Sequence, residues 1–364
     1  MSSIQSARIT AFYLFDVAEA VSLGGLPGLM GVETSSARIG AKPSIPAYVK
    51  YQQPPIMVDG DALGIGGADN FKTRFKIFDY GVISLALTRP FSGDWIELIA
   101  LGQGIMENER LEQQAEASCR QLVARIAPAL VRPRDRYLSE DYLVFAVTAL
   151  ERPLTGRALV QAHKEEIALL LRGERHALSR QEEKEILRHR ISYFANDLVV
   201  PTWNAALVYD TEANVDVALE ILEFANSQLL QFRYYDDLLD AELARTYPQV
   251  QAPRWYDVIG GRRYTRAAHH LHAVFIDVND LTDRTENALK IVGDIYAARL
   301  FTLVAARLGL DRWKASVEHK LQTLDDIYRF AVEQTAMWRG QFLELTIVLI
   351  LILELALFFL GIMR

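Results

Sequence analysis

The stretch LTIVLILILELALFFLGIM, residues 345–363, decides the predicted fold class, because its length and composition are typical of a membrane-spanning helix. As a helix, residues 342–363 would extend roughly 33 Å, close to the ~30 Å thickness of a hydrocarbon core. Fourteen Leu, Ile, Val or Phe residues, each worth roughly −0.3 to −0.6 kcal/mol, outweigh the roughly +2.5 to +3.5 kcal/mol cost of Glu354. The sequence therefore predicts a transmembrane helix over residues 342–363. The alternative is the buried last helix of a soluble protein.

The residues around this stretch predict how the helix would be oriented. Trp338 and Arg339 precede it, where an aromatic belt and a cytoplasmic positive charge are expected. The N-terminal residues have no signal-peptide pattern. These features predict a single-pass protein of the bacterial inner (cytoplasmic) membrane, with its N-terminal bulk in the cytoplasm and membrane lipid as one partner.

Two acidic residues of the same region predict self-association. Glu344 lies at the membrane entry and Glu354 near the midplane, where an isolated carboxylate faces a polar partner or is protonated. With one span per chain, that partner comes from another chain. The sequence therefore predicts a homo-oligomer with Glu354 pointing inward; the alternative is a protonated Glu354 that lipid tolerates.

Composition limits the remaining function classes. The chain has 364 residues, a formal net charge of −7 and a pI near 5.6, which argues against a general nucleic-acid binder and predicts no DNA partner. Its one cysteine, Cys119, cannot form an internal disulfide, and no Cys/His spacing is typical of a structural zinc site. We therefore predict no cofactor, no metal and no catalytic residue.

The periodicity of the chain predicts four parts. Residues 1–150 alternate short apolar runs with turns in the order β-α-β-β-α-β, with a short helix after Asp16, and this order predicts a ferredoxin-like α+β domain. Residues 151–278 form a mixed, mainly helical region with a long helix from about Asn214 to Ala244. Residues 279–341 form a helical hairpin, and residues 342–363 form the membrane helix.

The predicted hairpin depends on a stripe of apolar residues. Between residues 311 and 342 these recur every three or four positions, and the preceding helix ends at Gly309, a natural C-cap. The two helices are expected to pack antiparallel, while coiled-coil pairing with another chain is the competing use of the stripe.

Four motifs, in order, resemble the "required for meiotic nuclear division" family of bacterial and mitochondrial inner-membrane proteins. The resemblance implies an oligomeric membrane protein without enzymatic activity, linked in mitochondria to translation. Many members have bulky aromatics where this chain has Ser84, and the chain has no transit peptide. The motif residues are Phe78, Asp79, Tyr80 and Gly81 in a strand, Asp197 and Trp203 in a central signature, Gly293, Tyr296 and Arg299 in a helix, and Glu344 with Glu354 at the membrane.

Three further groups of residues suggest chemistry. The glycines and arginines of GGRRYTR, with Arg262, Arg263 and Arg266, suit a phosphate contact or form an ordinary basic loop. The carboxylates of Asp236, Asp237 and Asp240 suit either a metal or a salt-bridged face. The histidines His269, His270 and His272 are spaced too closely on a helix to complete a metal site.

Together these features predict an anchored, oligomeric scaffold or tether whose cytoplasmic domain holds a protein or ribonucleoprotein near the membrane. The alternative is a membrane-associated enzyme with a pocket in the α+β domain, for which Asp79, Tyr80 and Asp197 are the candidate residues.

Overall fold

A computed structural model describes residues 3–30, 35–36, 53–65, 69–251, 274–276, 278–283 and 295–359. The chain divides into two compact units. Unit 1 comprises Met1–Tyr234 with Asp283–Arg312, and unit 2 comprises Tyr235–Thr282 with Trp313–Arg364.

Unit 1 is built on a mixed sheet. The labelled strands are β1 (Ile4–Val21), β2 (Ser35–Ser36), β3 (Ile56–Asp59), β4 (Leu63–Ile65), β5 (Asp69–Ile77), β6 (Val82–Gly93), β7 (Leu130–Leu150), β8 (Leu198–Pro201) and β9 (Ala205–Tyr209). Their order is β2-β3-β5-β6-β1-β7-β9-β8, and β4 pairs with β5. The long strand β1 runs antiparallel to β6 and β7, whereas β9 runs parallel to β7.

Helices lie between and after these strands along the chain. They are α1 (Leu26–Met30), α2 (Trp95–Met106), α3 (Glu109–Ile126), α4 (Gly156–Ala162), α5 (Lys164–Arg172), α6 (Arg180–Arg188), α7 (Glu212–Gln251), α8 (Ile295–Leu308) and α9 (Leu310–Phe359). Local signals set several boundaries. Asp94 and Glu97 form a capping box at the start of α2, and Gly309, with φ +71°, separates α8 from α9.

Strand β1 is buried on both faces, which explains its apolar sequence. Alternate residues such as Ile9 and Phe15 join the apolar core formed with α2–α6. The intervening residues, among them Thr10, Leu14 and Asp16, are also buried, and they face the opposite side because strand side chains alternate.

The ferredoxin-like prediction was wrong, and the fold of unit 1 is a larger mixed α/β arrangement. Helices of such an α+β sandwich lie on one face of the sheet, whereas here α7 also makes contacts with side chains of β1 and β5. Where a helix was predicted after Asp16, β1 continues to Val21. Ala18, Ala20 and Val21 pair with residues at the start of β7, a long-range contact that local periodicity does not reveal.

The predicted transmembrane helix was also wrong. Among the residues that the structure describes, no helix is both long and apolar enough to cross a membrane. Residues 345–359 form the last described part of α9, which begins at Leu310. This finding contradicts the predicted inner-membrane location and the predicted single-pass topology.

In unit 2 the apolar stripe of α9 has a different partner from the predicted one. Val317, Leu321, Leu324 and Tyr328 are buried, and the polar contacts beside them are with α7 rather than with α8. Three α9 side chains contact α7: Ser316 Oγ lies 2.7 Å from Asp236, Lys320 Nζ lies 2.8 Å from Asp236, and Tyr328 OH lies 2.6 Å from Glu242. The contacting residues have increasing residue numbers in both helices, from Ser316 with Asp236 to Tyr328 with Glu242, so the two segments run parallel.

Candidate functional site

A polar stripe on α7 covers the second face of the sheet in unit 1. Its members recur every three or four residues and therefore lie on one side of the helix. The stripe comprises Glu212, Asp216, Glu220, Glu223, Ser227, Gln231 and Tyr234. Where a core-facing helix normally presents apolar side chains, this one presents mainly acidic and amide groups.

Ion pairs bind the N-terminal half of the stripe to the sheet. Arg8 of β1 lies 3.2 Å from Glu212 and 2.5 Å from Asp216. Lys76 of β5 pairs with Glu223, and both side chains are buried. Burial alone would lower the pKa of Lys76, but the negative charges of Glu223 and Glu220 outweigh it, so the pKa is raised and the lysine stays charged.

The C-terminal half of the stripe covers a buried carboxylate. The Asp16 side chain is 0% exposed, and its Oδ2 lies 3.5 Å from Nε of Arg134 on β7. Gln231 of α7 also interacts with it. The guanidinium carbon of Arg134 lies 3.7 Å from the centre of the Tyr234 ring, a cation–π contact. Burial raises the pKa of Asp16 to about 6, while Arg134 and Gln231 oppose the rise.

An irregularity in β7 brings Arg134 to this position. Asp16 pairs with Leu138, but Ala18, two residues further along β1, pairs with Pro133. The extra residues of β7 form a bulge, and a bulge redirects side chains relative to the regular alternation. The result is an Asp–Arg pair that is covered by α7.

Residues 78–81, predicted as a family motif and in part as an enzyme pocket, form the turn between β5 and β6, and their contacts hold this turn in place. Tyr80 OH lies 2.8 Å from Ser227 Oγ in the α7 stripe, and Phe78 is buried. The carbonyls of Asp79 and Gly81 accept hydrogen bonds from Val21 and Val17 of β1. Gly81 has φ +83°, and a Cβ at this residue would lie 1.8 Å from the carbonyl oxygen of Ala18, so the turn requires glycine.

Asp197 also stabilises local structure. Its buried carboxylate accepts hydrogen bonds from the backbone N–H groups of Tyr193, at 2.7 Å, and Phe194, at 2.6 Å. This arrangement fixes a loop whose two aromatic rings are exposed and meet edge to face at 4.7 Å. These hydrogen bonds stabilise a turn and a loop, and the pocket enzyme stays a prediction.

The structure does not bring the remaining predicted residues together at one site. Trp203 is exposed in the turn between β8 and β9, and Arg299 is exposed on α8. Tyr296, also on α8, lies against the ring of Tyr193. The described carboxylates at 236 and 240 bind Lys320, and among the described residues no group of three metal-ligating side chains occurs.

Some predicted residues belong to α9 or lie outside the described residues. Glu344 and Glu354 are exposed on α9, and Trp338 and Arg339 are part of the same helix. The residues outside the described part are Arg262, Arg263 and Arg266, the histidines His269, His270 and His272, and Gly293.

The sequence of unit 1 matches a protein family. The model of the family described as "Uncharacterized protein MJ0711, N-terminal domain" matches residues 6–216, more than half of the chain, from β1 into the first turns of α7. The chain belongs to this family. It is also 24% identical over 223 residues to "Uncharacterized protein MJ0711" of the archaeon Methanocaldococcus jannaschii. The aligned region covers 61% of this chain and 66%, slightly less than two thirds, of that relative.

These matches replace the resemblance to the "required for meiotic nuclear division" family, which was wrong. Its motifs in unit 1 are explained by the fold: Gly81 permits a tight turn and Asp197 caps a loop. No solved structure matches the chain. The names of the MJ0711 N-terminal domain family and of its archaeal relative state no activity.

Proposed function

We propose that the protein is a self-associating scaffold, in which the C-terminal end of α9 joins copies of the chain. One observation carries the proposal. Every Leu, Ile and Val between residues 343 and 355 is between 49% and 65% exposed. Exposed apolar surface on this scale is typical of an interaction site.

The N-terminal part of α9 indicates how the helix buries apolar residues. Between Val317 and Tyr328 it packs parallel to the C-terminal part of α7 in unit 2. The α7 residue Thr246 lies beside Tyr328, so the described contact between the two helices reaches this turn of α9. In contrast to this buried stripe, the apolar residues of 343–355 are exposed.

A second copy of the chain is the occupant that this surface fits best. Taking about 100 Å² for each exposed side chain, the surface measures on the order of 1,000 Å² on one chain, similar to the ~800 Å² that each partner of a stable complex buries. The run Ile347–Leu353 is apolar on every side of the helix, so a bundle of identical helices covers it more completely than one neighbour. Such a bundle would bring several copies of the family domain together.

Cysteine cross-linking tests this proposal with low background. Cys119 is buried, and burial raises the pKa of its thiol to about 12, so it reacts little. In the full chain with Leu349→Cys, in detergent-free buffer, we expect oxidation to give disulfide-linked dimers. The matched control is Ile96→Cys, an exposed apolar position on α2 that should give none.

Two outcomes would contradict the proposal. One is equal cross-linking of the Leu349→Cys and Ile96→Cys proteins, which would indicate random collision. The other is a Leu349→Cys protein that gives no dimer and is instead recovered with phospholipid vesicles, which would assign the exposed surface to another partner.

A further inference from the structure

Asp16 is buried beside Arg134, but the 3.5 Å contact between them is longer than an ordinary charged hydrogen bond. Neither oxygen forms a well-aligned hydrogen bond with a described residue, and Nε2 of Gln231 also has no acceptor among them. Buried polar groups are ordinarily paired, so an exception calls for an explanation. A buried charge of this kind weakens the folded state, and such a cost is often retained where a group has a function.

Among the described residues, Arg134 is the positively charged group that interacts with Asp16. On the neighbouring strands its pairing partners are apolar, Val82 of β6 and Leu138 of β7. Arg134 of the β7 bulge is the cation beside it, and Gln231 is the polar group that α7 contributes. Two other charged residues of the same elements, Arg233 of α7 and Glu140 of β7, pair with each other.

We propose that Asp16, Arg134 and Gln231 form a proton-operated latch between the sheet and residues 231–234 of α7. When Asp16 is protonated, its hydroxyl can donate to the Gln231 amide oxygen, and the negative charge of the carboxylate no longer lies beneath α7. When Asp16 is ionised, the buried charge is relieved by opening of the latch, which admits water. Arg134 stays charged in both states, and in the closed state it is stacked on Tyr234.

The direction of the pH dependence follows from the two states of Asp16. In the closed state its pKa is about 6, above the ordinary value of 3.8 expected once water reaches it. The closed state therefore binds the proton more tightly. Its advantage is complete below about pH 4 and is lost as the pH rises through about 6. A difference of about two pKa units makes opening roughly 100-fold more favourable at pH 7 than at pH 4.

Hydrogen–deuterium exchange of the full chain between pH 4 and pH 8, corrected for the intrinsic exchange rate, tests the latch. In residues 134–137 and 231–234 we expect protection to fall roughly 100-fold as the pH rises. Asp16→Asn, which mimics the protonated side chain, should remove this change. Arg134→Gln should move its midpoint to higher pH, because Arg134 lowers the pKa of Asp16. Asp59→Asn, in an exposed pair with Arg74, is the matched control and should behave like the wild type.

Protection that does not vary with pH in the wild type would overturn the latch. The same holds if the pH dependence persists in Asp16→Asn, or if Glu140→Gln removes it while Asp16→Asn does not. An Arg134→Gln midpoint at or below the wild-type value would also overturn it.

Discussion

Two regions depart from the ordinary distribution of polar and apolar groups, in opposite directions. Under α7 in unit 1, charged side chains such as Asp16, Lys76 and Glu223 are buried. At the end of α9 in unit 2, large apolar side chains are exposed. Buried charge and exposed apolar surface are the departures that carry information, because scattered exposed apolar residues are common in all proteins.

The buried charges of unit 1 and the exposed apolar residues of unit 2 have different roles. The buried ion pairs of unit 1 contribute little net stability, since desolvation offsets their attraction, but a mismatched register would leave a charge unpaired. They therefore specify how α7 lies on the sheet. The exposed residues of α9 contribute nothing to the fold of one chain, and we infer that their burial awaits another copy.

The largest expected effect comes from breaking a buried pair. Lys76→Met leaves Glu223 charged and buried without its partner, and we expect the free energy of unfolding to fall by about 3–5 kcal/mol. Urea denaturation measures this loss. The double variant Lys76→Met, Glu223→Leu should recover most of it, because both charges are then absent. Equal losses in the single and double variants would show that the pair does not act as a unit.

Replacing a leucine side chain of α9 with alanine should have different effects at two positions. Leu324 is fully buried in unit 2, so Leu324→Ala should lower the free energy of unfolding by about 2–4 kcal/mol. Leu349 is exposed, so Leu349→Ala should change the unfolding of the single chain by less than about 0.5 kcal/mol while weakening self-association. Chemical denaturation of dilute protein compares the two variants. Comparable losses at both positions would mean that residue 349 is covered within one chain.

The smallest effect is expected at the exposed end of the α7 stripe. Arg8 pairs with Glu212 and Asp216, whose side chains are largely exposed, so Arg8→Ala should cost about 0.2–1 kcal/mol. The difference from the wild type should shrink at high salt, which screens exposed charges. A loss that is as large as that of Lys76→Met, or that salt leaves unchanged, would contradict the distinction between the two ends of the stripe.

Local patterns predicted part of this fold. The helix expected from about Asn214 to Ala244 corresponds to α7, whereas Phe78, Asp79, Tyr80 and Gly81, expected in a strand, form the turn between β5 and β6. The continuation of β1 to Val21 was missed, because it depends on pairing with Leu130, which is distant in the sequence. Residues 342–363 were assigned a membrane span because that prediction rested on length and composition alone.

The candidate site was less accessible to prediction than the fold. The sequence indicated Asp16 only as the end of a strand. Its burial depends on a β bulge and on the packing of α7 over the sheet, and neither feature has a clear local signal in the sequence. One signal was present: the acidic and amide residues of α7 recur every three or four positions, opposite basic residues at alternate positions of β5. Asp79, Tyr80 and Asp197 were singled out for chemistry, but their contacts are those of turns and caps.

Sedimentation velocity of the full chain in detergent-free buffer, over a wide range of protein concentration, tests the central claim most directly. If the end of α9 joins copies of the chain, the wild type will sediment as an oligomer that dissociates on dilution, and Leu345→Ser, Leu349→Ser, Ile352→Ser will sediment as a folded monomer throughout. A wild-type protein that remains monomeric at every concentration, or a triple variant that still assembles, would contradict the claim.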